Sequence, residues 1–230
     1  MTFDIVIPTF QRKEKLIRLL MSIPRQENIN TWVYFDNNDS TRNEIALSPF
    51  FEIASLYCTE KYQAFGIWNS HLGSRLFNSD IMVYICDDAE FYYDTLINVE
   101  NIFNKKFPDT DGVVTFKQAN MQGTDSAMGC IGKKFAERYP NNQVFNPNYV
   151  SFYADTDVGD YAKKLGKFHY GTDCLINHYH PGSFKDELDK THNIIRGKDK
   201  TIDIQINKIR KEKELLYPET LEMIDRSQYE

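Results

Sequence analysis

The sequence predicts an α/β fold: a mostly parallel sheet with helices on both faces, then a charged helical C-terminal extension. Two observations carry this reading. Short apolar, β-branched runs alternate with stretches of helical periodicity through the first half of the chain, the signature of strand–helix–strand units. Three of those runs stop abruptly at polar residues, Pro8-Thr9, Asp36-Asn37 and Asp87-Asp88. Open parallel sheets bind ligands beyond the carboxyl ends of their strands, so these stops point to one functional edge.

Taken in order, Phe3–Ile7 reads as a strand ended by Pro8. Lys13–Ile23 reads as a helix, with Leu16, Leu19, Leu20 and Ile23 on one side. Trp32–Phe35 is a second strand, stopped by the turn-rich Asp36-Asn37-Asn38-Asp39-Ser40. Ile53–Cys58 is a third. Gly66–Phe77 is expected to be helical, Ile81–Cys86 to be a strand, and Tyr93–Phe107 to be a helix. Beyond that the pattern loosens. Gly112–Phe116 and Met128–Ile131 read as strands, the latter followed by a short helix to Tyr139. Asn141–Asn148 is a loop, Asp155–Leu165 a helix capped by Gly166, and Leu175–His180 a short strand or turn before Pro181-Gly182. The expected organisation is a domain over 1–183, split into a ligand-binding half (1–110) and a second half (111–183), with 184–230 packing on it or extending from it.

Composition narrows the function classes. The net charge of −6 gives little help toward non-specific nucleic-acid binding, which needs clustered cations. Residues 185–213 do carry nine Lys or Arg against six acids, read as the solvated face of a helix. Sixteen Phe and fourteen Tyr supply a core and surfaces on which flat rings can stack. Cys58, Cys86, Cys130 and Cys174 are widely spaced with no C-x-x-C, which favours buried free thiols and a reducing, cytoplasmic setting. No apolar run approaches the roughly 20 residues of a bilayer span. Neither G-x-G-x-x-G after the first strand nor G-x-x-x-x-G-K-[ST] occurs, which disfavours dinucleotide binding and P-loop hydrolysis.

Three segments could carry chemistry. Val83-Tyr84-Ile85-Cys86-Asp87-Asp88 delivers two acids at a strand end, where a carboxylate can hold a hard divalent cation that grips a diphosphate. The plainer alternative is a helix N-cap. Ala154-Asp155-Thr156-Asp157 places acids at a helix start, which the helix dipole alone would favour. His178-Tyr179-His180 puts two imidazoles on one side of an extended segment, each a possible metal ligand.

The order of these motifs resembles the family 2 glycosyltransferases, which have the GT-A fold, over roughly residues 3–180. Asp4-Ile5-Val6-Ile7-Pro8-Thr9-Phe10-Gln11-Arg12 looks like that family's opening strand, and Val33 through Asp36-Asn37-Asn38-Asp39 like its second. Ser79-Asp80-Ile81 through Asp88 is similar to the strand leading into D-x-D, and Ala154-Asp155 to the Glu-Asp motif. The resemblance implies an inverting transferase that moves a sugar from a nucleoside-diphosphate sugar, with uridine preferred, to an acceptor hydroxyl. Asp155 inherits the base position. Pro8, Thr9, Arg12, Asp36 and Asp87 would hold the nucleotide. Asp88, and His180 ahead of His178, would hold Mn²⁺ or Mg²⁺. Two positions depart from the pattern: Cys86 stands where the first D-x-D acid falls, and Ala154 replaces the Glu. A saccharide acceptor is expected first and a nucleic acid second. The rival readings are a nucleotidyltransferase of related fold, against which the glycine-free Gln11-Arg12-Lys13 argues, and an inert nucleotide-sugar-binding module.

Overall fold

The computed structural model describes residues 1–60, 63–119, 127–179, 198–218, 220 and 224–229. The strands are β1 (Phe3–Thr9), β2 (Ile29–Asp36), β3 (Ser55–Thr59), β4 (Ile81–Tyr84), β5 (Ala89–Phe91), β6 (Val113–Gln118), β7 (Gly129–Gly132) and β8 (Phe168–His178). They form one sheet in the order β3-β2-β1-β4-β7-β6-β8-β5. The first four strands in that order are mutually parallel. Beyond β4 the sheet is mixed: β7 runs antiparallel to both β4 and β6, β8 parallel to β6, and β5 antiparallel to β8.

Alternation along the parallel strands divides the core in two. Ile5, Ile7, Val33, Phe35 and Val83 face one side, against Leu16, Leu19 and Leu20 of α1 (Lys13–Ser22) and Leu96, Val99 and Phe103 of α4 (Thr95–Lys106). Val6, Tyr34, Met82 and Tyr84 face the other. There they meet Phe65, Ile67 and Trp68 of α3 (Ala64–Leu72), Val158 and Ala162 of α6 (Ala154–Lys164), and Ile202 and Ile206 of the helix Lys198–Glu212. Two further α-helices among the described residues are short: α2 (Thr41–Ala46) and α5 (Lys133–Ala136). In this sequence-order numbering the helix Lys198–Glu212 is α7.

Several expectations shift. The helix expected over Gly66–Phe77 ends at Leu72, because the chain there passes close to a neighbour: a Cβ on Gly73 would lie 2.9 Å from the Asn141 carbonyl oxygen. The strand expected at Leu175–His180 begins seven residues earlier and pairs along β6 through an irregularity at Phe116/Lys117. Cys130 and Cys174 are buried thiols as expected, but Cys58 is exposed on β3 and Cys86 is half-buried. The stretch 185–213 is not wholly a solvated face, since α7 buries Ile202, Asp203, Ile206 and Arg210. Among the described residues, no helix is long and apolar enough to cross a membrane.

Candidate active site

Register alone brings the first two motifs together. In the β1–β4 pairing Val6 stands beside Tyr84, so three residues further on Thr9 comes level with Asp87. In the β1–β2 pairing Thr9 stands beside Phe35, one residue before Asp36. Pro8-Thr9, Asp36 and Asp87-Asp88 therefore share the carboxyl edge of the parallel strands.

The contacts at this edge are specific. Thr9 Oγ1 donates to Asp87 Oδ2 at 2.8 Å. Arg12, at the start of α1, turns its buried guanidinium inward: Nη1 donates to Asp87 Oδ1 at 2.9 Å and lies 3.4 Å from Asp88 Oδ2. Opposite Arg12, His178 at the end of β8 sets Nε2 3.3 Å from Asp88 Oδ1. The backbone reinforces the same corner, since Tyr179 N–H donates to the Asp88 carbonyl at 2.8 Å. His178 Nδ1 lies 2.8 Å from Gln118 Oε1, an atom that only accepts, so Nδ1 carries the hydrogen. Nε2 faces the buried Asp88 Oδ1 on the other side of the ring.

Electrostatics separates the two neighbouring acids. Burial raises the Asp87 carboxyl, and although Arg12 pulls it back, the charge on Asp88 adds to the rise. Burial opposes ionisation of Asp88 too, but the facing His178 and then Arg12 and Lys15 outweigh it and hold that carboxyl low. Burial pushes the Cys86 thiol well up, with Asp88 and Asp87 adding to it. Asp155 acts on the Cys86 thiol as one further negative charge, the smallest of the causes of its rise.

The approach of Asp155 depends on an unusual turn. Tyr153 takes the left-handed conformation (φ 73°) and α6 starts at once, with Asp155 in its first turn and half-buried. Each helical residue turns the side chain by about 100°, so Asp155 and Asp157 point to nearly opposite sides. Asp157 points inward: Oδ2 accepts from Asn146 Nδ2 at 2.9 Å and Oδ1 lies 3.3 Å from Arg210 Nη1. Burial is the main reason its carboxyl is raised. Asp157 is thus engaged in the core, and Asp155 is the acid of this pair on the other side of the helix.

Asp36, at the end of β2, is nearly buried and accepts from Asn38 N–H at 2.8 Å, a local Asp turn. Asp39 has a tying role. Its Oδ1 accepts from Thr41 N–H and hydroxyl, and Oδ2 accepts from Gln11 N–H at 2.8 Å. This joins the loop after β2 to the loop after β1 at a residue with left-handed φ (53°). Gly129 lets β7 lie against this edge: a Cβ there would come 2.6 Å from the Val114 carbonyl oxygen. Sequence reasoning ranked His178 below His180, and it passed over Gln118 and Asp39. Gln118 ends a strand on the functional edge, the signal by which it could have been found. His180 lies outside the described residues. A cavity of about 370 Å³ near the start of β2, lined by Leu20, Ile23, Arg25, Glu52 and Ile53 among others, includes none of these site residues.

The sequence matches no protein-family model and no curated protein sequence. The fold does have solved relatives. S. aureus TarS 1–349 superposes with a TM-score of 0.60 at 12% identity, covering 84% of this chain and 68% of that one. Its complex with UDP gives 0.61 at 14% identity over the same shares, 84% and 68%. Its complex with UDP-GlcNAc gives 0.62 at 11%, covering 100% and 69%. Against a longer TarS structure the chain spans 41% of the length. At such low identity the likeness speaks to architecture: the fold of this chain resembles that of TarS.

Proposed function

We propose that this chain is an inverting glycosyltransferase of the family 2 kind, moving a sugar from a uridine-diphosphate sugar to an acceptor hydroxyl. One observation carries the reading: Thr9, Arg12, Asp87, Asp88 and His178 converge at the sheet edge. They do so on a fold shared with a protein whose crystals hold UDP and UDP-GlcNAc.

In the proposed reaction the acceptor hydroxyl gives its proton to an Asp155 oxygen as its own oxygen attacks the anomeric carbon. The bond from that carbon to the diphosphate breaks, and UDP leaves with the electron pair. A single displacement inverts the anomeric centre and needs one base, which suits an arrangement where Asp157 is committed to the core. Pro8, Thr9 and Asp36 are assigned to the nucleoside. Asp36 offers a carboxylate that can accept from the uracil N3–H. Arg12 and Asp87 order the edge on which the diphosphate would lie.

Asp88 and His178 suit a divalent cation, Mn²⁺ or Mg²⁺, with His180 as a further candidate. The donor chemistry fits, a carboxylate oxygen and an imidazole nitrogen with its tautomer fixed by Gln118. Among the described residues there is no group of three or more such donors, so substrate oxygens and water would complete the shell, as is common for Mg²⁺. When bound, the ion would neutralise charge on the departing diphosphate.

For the acceptor, Phe152 and Tyr153 place half-buried rings two and three residues before Asp155, a surface on which a sugar ring can stack. A saccharide is the first class to test and a nucleic acid the second. Incubation with a panel of UDP-sugars, Mn²⁺ or Mg²⁺ and candidate acceptors tests the whole reading. We expect release of UDP, with the sugar joined to an acceptor in inverted configuration. Pyrophosphate release from a nucleoside triphosphate would instead indicate a nucleotidyltransferase, and UDP-sugar binding without turnover an inert binding module.

A further inference from the structure

Helix α7 buries two charged side chains, Asp203 and Arg210, and both reach back to the segment that carries Asp155. Asp203 Oδ2 accepts backbone N–H groups from Ser151 at 2.8 Å and Phe152 at 2.9 Å, and Val150 N lies 3.2 and 3.3 Å from its two oxygens. Three successive amides point at one carboxylate, which ties the backbone of residues 150–152 to α7. Arg226 closes the arrangement: Nη1 lies 2.6 Å from Asp203 Oδ1 and donates to the Asn148 carbonyl at 2.9 Å. Asn148 Nδ2 in turn donates to the Ile224 carbonyl at 2.8 Å. Residues 148–152 are therefore held from both ends.

The next residue is Tyr153, in the left-handed conformation that non-glycine residues resist. The amides gathered on Asp203 fix the chain up to that residue. Arg210 fixes the helix beyond it. Its Nη1 lies 3.3 Å from Asp157 Oδ1, and its Nη2 donates to Asp160 Oδ2 at 3.0 Å and to Asn207 Oδ1 at 3.2 Å. The first two turns of α6 are thereby pinned on the side opposite Asp155.

We propose that Asp203 and Arg210 are positioning residues for sugar transfer: by locking residues 150–152 and the start of α6, they fix the direction in which Asp155 projects from the helix. The inference rests on the reading of Asp155 as the base. Neither residue touches the reactants. A base works only within hydrogen-bond reach of its proton, and a misplacement of about 1 Å can cost about 10²-fold in rate. The cost of loosening this clamp should therefore fall on turnover.

The test uses the full chain with Asp203→Asn, Arg210→Lys and Arg226→Gln. Asn keeps the size of Asp203 but turns an NH₂ toward amide N–H groups; Lys cannot bridge Asp157 and Asp160 as a guanidinium does. Arg226→Gln is the gentlest change and carries the test if Asp203→Asn does not fold. Two quantities are followed: amide hydrogen exchange, and release of UDP from whichever UDP-sugar the wild type turns over. The expected result is faster exchange at residues 150–157, unchanged exchange in β1 and β4, and kcat lower by about 10-fold or more. Donor KM and UDP affinity should stay within about twofold. Normal kcat in variants whose 150–157 amides exchange faster would overturn the proposal. So would unchanged exchange there, or loss of donor affinity alongside a general rise in exchange, which is what a purely structural role gives. The two failures can be told apart. If the wild type releases no UDP, or Asp155→Asn matches it, the reading of the site falls and the positioning role with it. If Asp155→Asn is slow while the three variants run at the wild-type rate, the positioning role fails alone.

Discussion

At the residue scale, Asp155 and Asp157 show what one sequence can and cannot decide. Both sit in the first turn of a helix, and a chain of letters separates them only by register. The fold separates them by direction, because Asp157 is locked to Asn146 and Arg210 while Asp155 lies on the other side of α6. Asp155→Asn should lower transfer by about 10²-fold or more, the scale of general base catalysis, and leave UDP affinity nearly unchanged. Asp157→Asn should act on stability instead, by roughly 1–3 kcal/mol, since it removes a charged partner of a buried guanidinium. Rate measurements and urea melts on both variants check the division; a fast Asp155→Asn enzyme would refute it. The acids of the strand end were legible in the sequence, but the imidazole facing them was not. His178 and His180 are alike in the sequence, and pairing of β8 with β5 is what sets His178 against Asp88. Asp88→Ala and His178→Ala should each weaken Mn²⁺-dependent UDP binding in calorimetry, with melting curves close to wild type. Unchanged metal-dependent binding in either variant would remove that residue from the site.

At the scale of elements, strands with an apolar run of their own were legible, and those defined by their neighbours were not. β1, β2 and β4 announce themselves by buried, β-branched and aromatic residues. β5 is three residues long, and the first half of β8 is mostly half-buried or exposed. Both exist because β8 extends along β6 and offers β5 an edge, information held in neither segment's own pattern. A buried ion cluster secures that far half of the sheet. Asp111, before β6, accepts from both Nε and Nη2 of Arg138 after α5, and Lys167, before β8, lies 2.9 Å from it. The Arg138 fork, then Lys167, holds the Asp111 carboxyl down at about 2 in spite of burial. A carboxyl depressed in the folded state stabilises the protein above its ordinary value and loses that contribution as pH falls toward the folded value. The two cations are partly exposed, so the effect is discounted to about 1–2 kcal/mol. Asp111→Asn should cost that much at pH 7, and its deficit should shrink as the pH of the melt falls from about 5 toward 3. A deficit independent of pH would mean that packing, not the ion cluster, is what Asp111 supplies.

At the scale of the whole molecule, the question is whether the sequence beyond residue 183 is an appendage or part of the fold. Its composition, dominated by charged residues, leaves both open. Among the described residues, the contacts of α7 favour the second. Ile202 and Ile206 of α7 join the same core as Trp68, Tyr84 and Phe145, and Tyr217 stacks on Tyr139 with ring centroids 5.2 Å apart. The charges of α7 that matter are buried with partners some fifty residues earlier in the chain, a pairing that no local pattern reveals. Removing α7 would strip Asp157 of Arg210, and an uncompensated buried charge costs roughly 3–5 kcal/mol. It would also uncover the apolar face of α6 and leave the amides of residues 150–152 without Asp203. Against a total stability of about 5–15 kcal/mol, those losses are of the same order as the whole. A chain ending at residue 183 should therefore lose its cooperative urea transition, followed through the fluorescence of Trp32 and Trp68 together. The full chain should melt in one step, with the tryptophan signal and the amide protection of α7 lost at the same urea concentration. Two separate transitions, or a shortened chain with an unchanged midpoint, would show that α7 is an appendage whose contacts contribute little. Coincident loss would mean that the segment carrying the proposed base cannot be ordered without the helix behind it.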